Sequence, residues 1–313
     1  MVKLPSLLVT AYAICAAGIS GVMGAKYSLS DNIVGDGFYS AFEWQAISDP
    51  THGRVKYVDQ STSRSQNLTY ASGSSFILRT DYKTYLGSGG AGRQSKSYST
   101  HVAVFDVRHM PQGCGTWPAI WETAKGNWPY SGEVDIVEGV NDQAPNAATL
   151  PYWTWMHHAL IANANGNGQL NCDAYANSNT GCGVSFNQGN SFGPSFNNNG
   201  GGWFAMERNN NFIKVWFWPR SSGSVPSDLR NGAQTVNTDS WGTPAAHFPN
   251  TQCNLADHFD AHNIIINLTL CGDWAGNVYG QSGCPSTCVD FVNNNPGSFK
   301  NAYFDFAAVR VYK

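Results

Sequence analysis

Charge is scarce in this sequence: Asp, Glu, Lys and Arg together make up 12% of its residues, and the formal net charge is −3. Lys and Arg are scattered rather than clustered, which excludes the electrostatic footprint of a nucleic-acid binder. After the N-terminal stretch no segment has the length and hydrophobicity to span a bilayer, so the mature chain is not expected to span a membrane. Sustained helical periodicity is rare. The chain lacks a Pro/Ser/Thr-rich linker, and a single large domain is expected over 26–313. Cysteine spacings match no usual zinc pattern. The glycine-rich run from Gly87 to Gly92 lacks a following phosphate-binding Lys-Ser/Thr and a strand–turn–helix context. No cofactor and no metal are therefore expected.

Glycine, asparagine, serine and aromatic residues are plentiful, including 11 Trp. Met1-Val2-Lys3 gives a short positive start, and a mostly apolar run from Leu4 to Val22 ends among small residues. That layout predicts a secretory signal peptide over 1–20, with its end between about residue 17 and residue 25, and hence a secreted, extracellular protein. Of the eight cysteines, Cys15 falls in that segment and leaves an odd seven. An oxidising compartment permits disulfides. Proximity suggests Cys172 with Cys182 and Cys284 with Cys288, leaving one cysteine without an intrachain partner. Asn67-Leu68-Thr69 and Asn267-Leu268-Thr269 are glycosylation sequons, usable only where exposed.

Short apolar or alternating runs separated by Gly, Asn, Asp and Ser recur: Phe76 to Leu78, His101 to Val107, Phe212 to Trp218, Asn263 to Leu270 and Tyr303 to Tyr312. They read as strands, and many strands spaced by turn signals favour a sandwich. The last run alternates imperfectly and is expected to be integral to a sheet. The Gly/Asn-rich stretch from Asn163 to Gly202 is too long for an ordinary connection, and its aromatics predict an ordered loop walling a groove.

The run Gly132-Glu133-Val134-Asp135-Ile136-Val137-Glu138 carries the chemistry. On a regular strand Glu133 and Asp135 share one face and Glu138 points away. One β-bulge between Asp135 and Glu138 restores the phase and gathers all three, turning Val134 and one of Ile136 or Val137 toward the core. Retaining glycosidases need two carboxyl groups about 5 Å apart, one attacking the anomeric carbon and the other protonating the leaving oxygen. The two Glu α-carbons would stand roughly 13 Å apart at ~3.3 Å per residue, so side-chain reach and sheet curvature must close the gap. The bland reading is an acidic outward face or a calcium site. Trp117 and Trp121 just upstream, with further Trp at 128, 153 and 155, supply stacking faces for sugar rings. Trp121 reads equally as core.

Gly115-Thr116-Trp117-Pro118-Ala119-Ile120-Trp121 followed by the carboxylate run resembles the laminarinase-like branch of glycoside hydrolase family 16, particularly secreted fungal endo-1,3(4)-β-glucanases. The resemblance implies an all-β fold, a β-jelly-roll sandwich of two curved antiparallel sheets with a concave substrate cleft. It implies endohydrolysis of 1,3-linked β-glucan with tolerance for mixed 1,3/1,4 linkages, by a retaining double displacement. Glu133 matches the nucleophile, Asp135 the assisting carboxylate and Glu138 the acid/base. The spacing is one residue longer than in the strict lichenase branch. Trp117, Trp121, Arg93, Lys96 and Trp274 match substrate-binding positions, and His157, rather than His158, matches a histidine near the carboxylates. Solvated charges at Arg93 and Lys96, a core histidine at 157 and a lid role for Trp274 are the plain alternatives. The expected partner is a β-glucan polysaccharide or oligosaccharide, and a monomer is expected. A non-catalytic glucan-binding lectin and a transglycosylase on the same fold are the competing functions.

Overall fold

The computed structural model describes residues 25–84, 91–126, 128–151, 168–169, 171–175, 181–251 and 253–313. The expected signal peptide lies outside the described residues. Two antiparallel sheets form a β-sandwich. One runs in the order Thr235–Asn237, Lys26–Ile33, Tyr303–Tyr312, His101–His109, Gly202–Arg208, Phe212–Pro219 and Ala246–Pro249. Ser75–Arg79 also pairs with Tyr303–Tyr312 and carries Thr69–Ser72 beyond it. The other sheet runs Gly168–Gln169, Cys182–Ser185, Ala147–Leu150, Glu133–Glu138, Thr116–Thr123, Asn263–Leu270, Ala91–Gln94 and Phe42–Trp44.

Strand alternation divides the apolar residues between two layers. From His101–His109, Ala103, Phe105 and Val107 enter the core between the sheets, where they join Ile120, Val134, Ile264 and Ile266 of the opposite sheet. Val102 and Val104 enter a second layer with Trp203, Trp216, Trp218 and Trp241. This strand reads as an unbroken apolar run because both of its faces are covered. The final strand, Tyr303–Tyr312, pairs with Lys26–Ile33 on one side and His101–His109 on the other. Its imperfect alternation has a local cause: the register slips between Phe306 and Ala308.

The described part of the long Gly/Asn-rich stretch differs from its expected role as a groove wall. Phe186, Phe192 and Phe196 are buried in the inter-sheet core. Phe196 packs against Phe204 and Phe217 at ring-centroid distances of 5.8 and 6.1 Å. Burying three aromatic rings stabilises more than leaving them on a groove rim.

Of the two disulfides suggested by proximity, Cys172–Cys182 is present. Cys284–Cys288 is corrected: Cys284 bonds to Cys114, and Cys288 bonds to Cys271. Cys114–Cys284 ties the segment after Leu270 to the turn before Thr116, which nearness in sequence could not reveal, and Cys271–Cys288 closes that segment on itself. Cys253 is buried.

Candidate active site

Strand Glu133–Glu138 lies between Thr116–Thr123 and Ala147–Leu150. Thr123 pairs with Glu133, Glu122 with Val134 and Trp121 with Asp135; the register then slips, so that Ile120 meets Val137 and Ala119 meets Glu138. Ile136 is the extra residue of a β-bulge at the expected place. Paired residues share a face, so Glu133, Asp135 and Glu138 stand with Thr123, Trp121 and Ala119 on the side away from the inter-sheet core. One detail differs from expectation: Val134, Ile136 and Val137 are all buried in the core. The bulge sets two consecutive residues against one partner, and both turn inward.

The same rows continue across the sheet. Thr149 stands beside Asp135 and Ala147 beside Glu138. In the other direction Trp121 is followed by Ile265, Arg93 and Glu43, and Ala119 by Asn267. The small side chains of Ala119 and Ala147 leave room over the Glu138 carboxyl.

Each carboxyl has its own donor. The Trp128 indole Nε1 donates to Glu133 Oε2 at 2.7 Å. The Trp117 Nε1 donates to Glu138 Oε1 at 2.8 Å. Thr149 Oγ1 donates to Asp135 Oδ2. Such N–H and O–H groups satisfy anionic oxygens where a bound cation would be repelled, which argues against the calcium reading. Burial, then the charge of Glu138, pushes Glu133 up to about 8, against the hydrogen bonds from Trp128 and Asp135. Burial and the Glu133 charge raise Asp135 well above its ordinary value. Burial and the Asp135 charge do the same to Glu138, with Trp117 opposing. Burial and mutual repulsion therefore raise all three carboxyl groups above their ordinary values.

Trp274 lies in the turn Gly272–Gly276, and its ring meets Trp117 edge-on at 5.8 Å and 85°. The turn needs Gly272: φ is +70°, and a Cβ would come within 2.9 Å of the Thr51 carbonyl oxygen. Trp121 Nε1 donates to Asn267 Oδ1 at 2.7 Å, which fixes the indole on the same face as the carboxylates. Arg93 is half-buried, and its Nε and Nη1 have no hydrogen-bond partner among the described residues. Burial pushes its pKa down, with Glu43 opposing. Lys96 is committed elsewhere: its ammonium pairs with Asp31 of Lys26–Ile33, in the other sheet. His157 lies outside the described residues.

A family model described as "XgeA-like, catalytic GH16 domain" matches residues 42–312. The chain belongs to glycoside hydrolase family 16. Its fold is similar to that of Laminarinase 16A from Phanerochaete chrysosporium, at 58% identity over 92% of this chain and all of that one, with a TM-score of 0.90. That protein was solved with 6-O-glucosyl-laminaritriose in both donor and acceptor sites. A family 16 elongating β-1,3-glucosyltransferase is 33% identical over 92% of this chain and all of that one, with a TM-score of 0.83. A probable endo-1,3(4)-β-glucanase of Aspergillus fumigatus is 37% identical over 98% of this chain, which spans about half (48%) of that relative's length.

Three polar groups of this family 16 site were not picked out by sequence reasoning as partners of the carboxylates and the Trp platform: Trp128, Thr149 and Asn267. Trp128 had a weak signal, an aromatic residue five positions before Glu133. Thr149 and Asn267 had none, because only strand register sets them beside Asp135 and Ala119.

Proposed function

We propose that this chain cleaves 1,3-linked β-glucan internally, with tolerance for mixed 1,3/1,4 linkages, by a retaining double displacement. The observation that carries the reading is the bulged strand, which gathers Glu133, Asp135 and Glu138 on one face with a separate donor for each. Ionised Glu133 attacks the anomeric carbon while protonated Glu138 gives its proton to the leaving oxygen, and the glycosidic C–O bond breaks. Glu138 then takes a proton from water, whose oxygen displaces Glu133 from the sugar. Two hydrogen bonds favour the ionised form of Glu133 and one favours that of Glu138, in keeping with this division of roles. A hydrogen bond with Asp135, which favours the ionised form of Glu133, would hold the nucleophile in place.

Trp117, Trp121 and Trp274 would supply stacking faces, and the unpaired guanidinium nitrogens of Arg93 would bind sugar hydroxyls. Lys96, paired with Asp31 in this structure, also stays a candidate on the resemblance. His157 stays a candidate on the resemblance alone. The similarity to solved family 16 enzymes in complex with, or named for, β-1,3-glucans supports the substrate class. Secretion belongs to the same reading: three disulfides suit an oxidising compartment, and N-terminal sequencing of the protein from culture medium tests the cleavage point.

Glu133→Gln should abolish release of reducing ends from laminarin while retaining binding, and normal turnover by that variant would sink the assignment. Glu138→Ala supplied with azide should yield a β-glycosyl azide; an α-product would refute retention. A second reading, transfer of the glycosyl unit to another sugar, is favoured by the likeness to an elongating glucosyltransferase. Products longer than the starting laminari-oligosaccharide would establish it.

A further inference from the structure

Glu122 separates Trp121 from Thr123 on the strand beside the catalytic one, but it points the opposite way, into the sandwich, where it is fully buried. Three basic side chains surround it. His101 Nε2 lies 3.0 Å from Oε2, Arg208 Nη1 donates to Oε1 at 3.1 Å, and His262 Nδ1 lies 3.3 Å from Oε1. Burial alone would raise the Glu122 pKa, yet the donors around it outweigh burial and hold it well below its ordinary value. His262 Nε2 sits 2.7 Å from the Ser131 carbonyl oxygen, which can only accept, so Nε2 donates; burial lowers the His262 pKa, with Glu122 and Ser131 opposing.

The contacts made by this cluster converge on the residues just before Glu133. His262 holds the Ser131 carbonyl, and Arg208 Nη2 donates to the carbonyls of Phe259 and Asp260. Asp260 in turn accepts from Ser131 Oγ at 2.6 Å. Thr123 Oγ1 donates to the Gly132 carbonyl at 2.7 Å, and the Glu133 amide donates to the Pro151 carbonyl at 3.0 Å. Gly132 is left-handed, with φ +73°, and any Cβ there would lie 2.6 Å from the Phe259 ring. Three consecutive residues, 131 to 133, are thus pinned from three sides.

We propose that the buried Glu122, His101, His262 and Arg208 cluster positions the head of the catalytic strand, and through it Glu133, without touching the substrate. Stability alone is a poor reason for the cluster, since well-packed apolar residues are often as stabilising as buried ion pairs. What apolar residues cannot do is hold backbone carbonyls at fixed points. Displacing a reacting group by about 1 Å can cost about a hundredfold in rate.

The inference rests on Glu133 being the nucleophile, and its test keeps the two claims apart. His262→Phe removes the donor to Ser131 and keeps a ring of similar size, His262→Gln keeps a donor, and Thr123→Val removes the clamp on Gly132 without changing shape. Each is assayed at a temperature where circular dichroism shows it folded, on laminarin and on an aryl β-laminaribioside whose leaving group needs no proton. A defect at Glu133 lowers kcat on both substrates by at least about tenfold, with KM within about twofold, in His262→Phe and Thr123→Val; His262→Gln recovers most of it. Wild-type kcat in both variants, a loss confined to laminarin, or a His262→Gln no better than His262→Phe would each overturn the proposal. Should His262→Phe fail to fold, Ser131→Ala decides by the same criteria, because it cuts the link between the strand head and Asp260, which Arg208 holds. An inactive wild type would overturn the functional reading and this inference together.

Discussion

Two indole N–H groups distinguish the two carboxyl groups that the proposed double displacement uses in opposite protonation states. Trp128 donates to Glu133 and Trp117 to Glu138, and each bond favours the ionised form of its partner. Removing either donor therefore raises the pKa of that partner. A hydrogen bond to a charged group contributes about 1.5–3 kcal/mol, and one pKa unit is about 1.4 kcal/mol, so a shift of about one unit is expected where water enters the gap. Trp128→Phe should move the ascending limb of the kcat/KM profile to higher pH and leave the descending limb in place. Trp117→Phe should move the descending limb instead. Profiles in which both variants shift the same limb would contradict the assigned roles. At this scale the acidic trio was legible in the sequence, because strand alternation depends only on spacing. Its donors were not, since Thr149 and Trp128 reach the carboxylates through pairing and loop conformation.

At the scale of the element, the decisive feature is one surplus residue. The bulge absorbs Ile136; a strand of the same length paired regularly throughout would turn Glu138 into the apolar core. Deleting Ile136 should therefore leave Glu133, Asp135 and Glu138 alternating on one face and preserve cleavage of laminarin, at some cost in stability from the lost buried side chain. A folded deletion variant that does not cleave laminarin would show that alternation alone does not place the three carboxyl groups. The two sequons also part company here. Asn67 is exposed on a turn after the short helix Gln60–Ser65, whereas Asn267 lies mid-strand with its Oδ1 engaged by Trp121. Endoglycosidase treatment of secreted protein should remove one glycan, from Asn67; a mass shift that persists in Asn67→Gln would refute this. Both sequons look alike in sequence, and only burial and pairing tell them apart.

Across the whole molecule, the site works against stability. Glu133 has a folded pKa of about 8 against an ordinary 4.5. A raised carboxyl pKa contributes stability that is fully present below the unfolded value and is lost as pH rises through the folded one. Its contribution therefore declines between about pH 4.5 and about pH 8. Glu133→Gln, which cannot ionise, should exceed wild type in Tm by a margin that grows across that window. Thermal melts showing a constant or shrinking margin would contradict the raised pKa. The molecule tolerates this cost because its two apolar layers and three disulfides lie on other faces and at other joints.

The sequence by itself determined the strand-rich sandwich, the need for a bulge and the carboxylate trio, all of which follow from periodicity and spacing along one chain. Only the tertiary structure decided that Phe186, Phe192 and Phe196 fill the core, that Cys284 bonds to Cys114, that Lys96 is held by Asp31, and that Glu122 turns inward to a basic cluster. Each of these depends on which distant segments meet, and packing between two sheets, not local spacing, sets those meetings.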